Sequence, residues 1–125
     1  MSMLSAFNQQ LLNLSTNLSE LFPEDPDLAF TKNSISIMKK NNPRKLQQMF
    51  NQYVSKYKTE IMEKNTDFFL KKNIIKDDLN LKNNQLDYAE TIILNLKKYW
   101  SNIDFESREN IWKYFQVLVI LNEKC

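Results

Sequence analysis

Four cations meet around one break in the chain: Lys39 and Lys40 before Asn41-Asn42-Pro43, Arg44 and Lys45 after it. A cluster of this kind holds anions, whether a phosphate, a nucleic-acid backbone or an acidic protein surface. The first pair would close a helix, where cations suit the negative end of the helix dipole. The second would open the next helix, where each cation costs roughly 0.3–1 kcal/mol at low salt, so a chain that keeps them there has reason to use them. Lys56 and Lys58 extend the basic strip. The plainer alternative is a solvated basic turn, or one neutralised by the chain's own acidic segment at residues 20–27.

Residues for other chemistry are scarce. The 125-residue chain has no histidine and no glycine, where average usage would supply about nine glycines. The commonest general base and zinc ligand is therefore missing. A Ser or Cys nucleophile would have neither that base nor a glycine-lined oxyanion hole. Gly-rich phosphate loops and glycine nucleophile elbows are disfavoured with them. Carboxylates gather at Glu24-Asp25 with Asp27, and at Asp77-Asp78. Helix capping explains the first group, and neither matches a calcium loop, which needs glycine at its sharp turn. The sequence thus implies no catalytic residue, no cofactor, no metal and no small-molecule substrate.

The elements that position the cations are all helical. Leu4, Phe7, Leu11, Leu14, Leu18 and Leu21 alternate three- and four-residue steps, predicting a helix of about eighteen residues that Pro23 ends. This stripe is a candidate helix interface, and residues 1–22 could be semi-independent. The charged flanking positions that specify a coiled-coil partner are absent, which favours packing within the chain over a dimer seam. Asp25 as cap and Pro26 at the first position open a second helix through Leu28, Ile35 and Met38 to Lys39-Lys40. Asn41-Asn42 and Asn83-Asn84 are expected to do glycine's work in the left-handed region. Asn42 and Pro43 open a third helix bearing Leu46, Met49, Phe50, Tyr53, Val54, Tyr57 and Ile61, ending near Asn65.

Thr66-Asp67 would cap a short turn presenting Phe68, Phe69 and Leu70, followed by a polar connection over residues 71–84. Leu86, Ala89, Ile93, Leu96, Trp100 and Ile103 mark the next helix, and Asp104 with Glu106 opens a last one carrying Ile111, Trp112, Phe115, Leu118, Val119 and Leu121. Residues 117–121 could form a buried strand, but no partner strand is evident, so helix is expected. Residues 1–125 are predicted to be a single-domain all-α bundle of about five main helices plus short helical turns. Tyr53 and Tyr57 suit the core better than base stacking. Phe68-Phe69, Trp100 and Trp112 are further candidates for partner contact, although a helical hairpin joined at Ile103-Asp104 would pack both tryptophans internally.

Net charge is only +2, but it is unevenly spread. Residues 1–31 carry four carboxylates and no cation, residues 32–64 carry eight cations against Glu60 and Glu63, and the rest balances. Lysine and asparagine both have A-rich codons, so lysine abundance alone does not argue for nucleic-acid binding. Cys125 is the only cysteine, which excludes an intramolecular disulfide and suits a reducing compartment. The N-terminus lacks a basic segment, and no apolar run approaches the ~20 residues that span a bilayer. An intracellular, soluble protein is expected.

Phe22-Pro23-Glu24-Asp25, the elbow from Lys39 to Lys45, Tyr53-Val54 with Lys56-Tyr57, and Asp67-Phe68-Phe69-Leu70 occur in this order. Glu106-Ser107-Arg108-Glu109-Asn110 then leads into Lys113-Tyr114-Phe115-Gln116 and Leu118. This series resembles a group of small, uncharacterised helical proteins encoded by nucleocytoplasmic large DNA viruses of algae and amoebae. The resemblance implies an AT-rich viral genome, a host cytoplasmic factory or virion, and a non-enzymatic role, and it carries over no site residues. Two functions are thus expected in order: a structural or interaction protein working through protein contacts or self-association, and a nucleic-acid-binding accessory protein using Lys39, Lys40, Arg44, Lys45, Lys56 and Lys58.

Overall fold

The computed structural model describes residues 2–71 and 88–125. Among the described residues the fold is all-α, with no strand. The helices are α1 (Met3–Leu21), α2 (Pro26–Asn41), α3 (Pro43–Lys56), α4 (Lys58–Met62), α5 (Thr66–Lys71), α6 (Tyr88–Tyr99) and α7 (Phe105–Lys124), with a 3-10 turn at Trp100–Asn102 between the last two. Residues 117–121 lie within α7, so the strand alternative is set aside. Most of the expected polar connection, residues 72–84 with Asp77-Asp78 and Asn83-Asn84, lies outside the described residues, as does Leu86.

The heptad stripe of α1 faces inward. Phe7, Leu11 and Leu14 are fully buried and Leu18 nearly so, in one cluster with Leu28 and Ile35 of α2, Leu46 and Phe50 of α3, and Leu118 and Val119 of α7. Other helices of the same chain cover these four α1 side chains, so the stripe packs within the chain, the reading favoured over a dimer seam. Leu4 and Leu21, at the ends of the stripe, are half-buried. The Ser2 hydroxyl accepts from the Ser5 amide at 3.0 Å and caps the helix.

Asp25 caps α2 as expected, its Oδ1 accepting from the Asp27 amide at 2.9 Å, with Pro26 at the first helical position. The link at residues 22–25 folds α2 back along α1. The return is pinned at the far end, where buried Asn8 donates from Nδ2 to the Pro43 carbonyl at 2.9 Å. α7 runs back along α3 and α4: Asn122 bonds Asn51 and Ser55, Gln116 donates to the Met62 carbonyl, and Glu109 pairs with Lys64.

The glycine-free turns are built differently from the expectation. Asn42 has φ −150° and ψ 67°, outside both the helical and the left-handed regions, so it does not substitute for glycine. The ring of Pro43 disfavours helical angles in the residue before it and keeps Asn42 out of the helical region, which ends α2 and opens α3 at once. Asn42 makes no side-chain cap hydrogen bond to α3. Among the described residues the single left-handed one is Lys64, φ 55°. There the Asn65 amide reaches back to the Glu60 carbonyl (2.9 Å) and the Lys64 amide to that of Ile61 (3.1 Å), the paired closure usually built on glycine.

The third helix was expected to run unbroken to near Asn65. It is interrupted at Tyr57 (φ −106°, ψ 22°), where that ring contacts Tyr53, Phe68 and Phe69. The cap of α5 also falls one residue earlier than expected: Asn65 Oδ1 accepts from the Phe68 amide at 3.1 Å. Trp100 of the 3-10 turn and Trp112 of α7 meet edge to face at 6.0 Å, so the two rings pack on each other within the chain.

Lys64 bears a left-handed backbone that glycine adopts freely. In an E109Q background, which removes the exposed Lys64–Glu109 pair, K64G is expected to raise unfolding free energy by about 0.5–1 kcal/mol, read from urea denaturation midpoints.

Candidate functional site

The elbow is set by α1 as much as by its own residues. Because Asn8 holds Pro43, the α2–α3 junction lies beside the first half of α1. The acidic residues 20–27 lie at the other end of the α1–α2 hairpin. Fourteen residues of helix separate Asp25 from Lys39, about 21 Å at 1.5 Å per residue. The acidic segment therefore cannot neutralise the elbow within one chain. Lys40, Arg44 and Lys45 are exposed, Lys39 is half-buried, and none of the four joins an ion pair among the described residues.

Lys56 and Lys58 do not belong to this cluster. Lys56 ends α3, about 18 Å from Arg44 along the helix, and Lys58 opens α4 beyond it. Lys58 pairs with Glu123, and the Lys56 ammonium lies 5.8 Å from the centre of the Tyr57 ring. The basic strip expected from six cations is thus four at one end of the bundle, with two elsewhere and engaged. Tyr53 and Tyr57 are buried, so neither is a stacking platform beside the elbow.

A polar network that composition alone did not reveal anchors the elbow to the last helix. Arg44 Nη1 approaches Gln47 Oε1 at 3.5 Å, buried Gln47 donates to Asn122 Oδ1 at 2.9 Å, and Asn122 Nδ2 donates to Asn51 at 2.9 Å and Ser55 at 3.2 Å. Asn122 lies 75, 71 and 67 positions from Gln47, Asn51 and Ser55 in sequence, and only the fold brings them together.

The acidic group also has a structural task. Besides capping α2, Asp25 accepts from the Tyr99 hydroxyl through Oδ2 at 2.5 Å, and Lys98 Nζ stands 3.9 Å from the same oxygen. Phe22 stacks on the Tyr99 ring at 4.1 Å. The Tyr99 hydrogen bond, aided by backbone amides and Lys98, outweighs the desolvation of this buried carboxyl and holds it below its ordinary 3.8. Its oxygens are occupied within the fold and so are not free metal ligands.

Phe69, Trp100, Trp112, Tyr53, Ile61 and Phe115 line an apolar cleft of about 50 Å³. That volume suits a methyl-sized group and falls well below the ~300 Å³ at which small-molecule sites begin. Arg108 holds Trp100, its guanidinium 5.2 Å from the ring while donating twice to the Trp100 carbonyl (3.0 and 2.6 Å). Both tryptophans are thereby held by the chain itself.

Large apolar side chains reach solvent elsewhere. Phe105 is 78% exposed at the start of α7, and α2 presents Phe30 at 69% and Ile37 at 59% exposure. The apolar character of these positions did not distinguish them from core residues in the sequence. No helix among the described residues is long and apolar enough to cross a membrane. No family model, curated protein or solved structure matches this chain.

The Asp25–Tyr99 pair makes stability depend on acid. A carboxyl whose folded value lies below its unfolded 3.8 stabilises the fold above that pH and loses this contribution as pH falls through the folded value. Y99F is expected to cost about 1.5–3 kcal/mol at pH 7, the range for a hydrogen bond to a charged acceptor, and to flatten the stability loss below pH 4. Denaturant titrations at pH 7, 5 and 3 measure both effects.

Proposed function

We propose that this chain is a non-enzymatic helical interaction protein that works through protein contacts, with the elbow formed by Lys39, Lys40, Arg44 and Lys45 receiving an acidic protein surface. The observation that carries this reading is the absence of any ion pair to these four cations among the described residues, with the chain's own acidic segment about 21 Å away. Two of them occupy a first helical turn, where the dipole opposes them, and an external anion relieves that cost. The burial of Tyr53 and Tyr57 favours an acidic protein over single-stranded nucleic acid, which gains much of its affinity from stacked bases. The setting, on the resemblance of the elbow and C-terminal motifs, is the virion or assembly complex of a large DNA virus.

The test compares the wild-type chain with R44E/K45E by fluorescence anisotropy, using a poly-glutamate peptide and random DNA and RNA 20-mers at 50 and 200 mM salt. Wild type is expected to bind the peptide at low salt, with at least a tenfold loss in the variant. Tighter, steeply salt-dependent binding of DNA or RNA would transfer the elbow to the nucleic-acid reading. Binding to neither probe at 50 mM salt would remove the elbow as a contact site.

A further inference from the structure

The outward face of α2 has no function in the fold described so far. A helix turns about 100° per residue, so Phe30 and Ile37 fall within roughly 20° of one another, about 10 Å apart along the axis. Leu28 and Ile35, which enter the core, lie on the opposite side. Exposed Asn33 and half-buried Ser34 sit between Phe30 and Ile37, Asp27 lies one turn before Phe30, and Lys40 one turn after Ile37. Neither Asp27 nor Lys40 is in an ion pair within 4 Å among the described residues, although Asp27 also feels the charge of Lys98.

This sequence of side chains is its own complement when reversed. A two-fold axis passing between residues 33 and 34 sets Phe30 against the partner's Ile37, Asn33 against the partner's Ser34, and Asp27 against the partner's Lys40, each pair occurring twice. The antiparallel arrangement also opposes the two helix dipoles. It carries the acidic end of one bundle, where Glu24 is exposed, beside the cationic elbow of the other. We propose that the α2 face is an interface between two copies of this chain, joined by Phe30–Ile37 contacts and bracketed by Asp27–Lys40 pairs. The proposal rests on the broader reading of this chain as a protein-contact module and names a second copy as one partner. A single helix about 24 Å long gives a small interface, so the dimer is reversible, with a dissociation constant on the order of 100 µM.

Sedimentation equilibrium on the full chain from about 10 µM to 1 mM is the experiment, with far-UV circular dichroism to confirm that each variant is folded. Wild type is expected to pass from monomer to dimer across this range. F30E/I37E should remain monomeric throughout. K40E sets like charges against the partner's Asp27 and should weaken the dimer about tenfold at low salt, and D27K/K40E, which exchanges the two signs, should restore it. A wild-type monomer at 1 mM, a dimer untouched by F30E/I37E, or a charge exchange no tighter than K40E would each overturn the pairing. F30E/I37E separates the two readings because it leaves all four elbow cations in place. A monomeric wild type that binds poly-glutamate retracts only the α2 interface, and a dimer that ignores poly-glutamate retracts only the elbow.

Discussion

The apolar stripe of α1 has to be covered, and covering it takes α2, α3 and α7 at once. Phe7, Leu11, Leu14 and Leu18 are each worth about 1.5–3 kcal/mol when buried, together comparable with the whole stability of a small domain. No single neighbouring helix encloses a stripe this wide. α2 must therefore fold straight back after α1, and α3 must turn again to reach the same core. The sharp turn between them falls at Asn42-Pro43, and the four cations are carried to the end of the bundle because they flank that turn. Their position follows from core geometry.

Two polar contacts fix the hairpin on which this depends. At one end buried Asn8 holds the first carbonyl of α3, and at the other Asp25 joins the start of α2 to Tyr99 at the end of α6. Each lies where an apolar contact would allow sliding, and each requires a particular alignment to satisfy a buried polar group. With both ends held, the charge asymmetry visible in the linear sequence becomes a spatial one. Carboxylates lie at one end of the α1–α2 hairpin and uncompensated cations at the other.

Much of this architecture was legible in the residues because it rests on local rules. The three- and four-residue spacing in α1, the Asp25-Pro26 opening and the packing of Trp100 against Trp112 each depend on neighbours within a few turns or across one hairpin. What escaped depends on remote contacts or on competing local effects. Asn42 looked like a glycine substitute, but Pro43 governs its backbone, and left-handed geometry falls on Lys64, a residue with no propensity that signals it. The interruption at Tyr57 coincides with ring contacts from α5. Lys56 and Lys58 looked continuous with the elbow in sequence, yet the length of α3 holds them more than three turns away. The link from Arg44 through Gln47 to Asn122 could not be read at all, since amide side chains carry no sign of their partners.

The absence of glycine gives the outward face of α2 its meaning. A chain that closes its described turns without glycine can hold them by long-range contacts, and here Asn8, Asp25 and Asn122 supply them from surrounding helices. Those contacts fix α2 rotationally: Leu28, Thr31 and Ile35 face inward and leave Phe30 and Ile37 no route to the core. A small rotation of α2 would bury one of these side chains only by withdrawing Ile35 and straining the Asp25 cap. Their exposure is consequently a property of the folded bundle and not a packing option left unused. Scattered exposed apolar residues are ordinary on a protein surface. Two on one fixed face, bracketed by opposite charges in reversible order, form a surface whose geometry another copy can match.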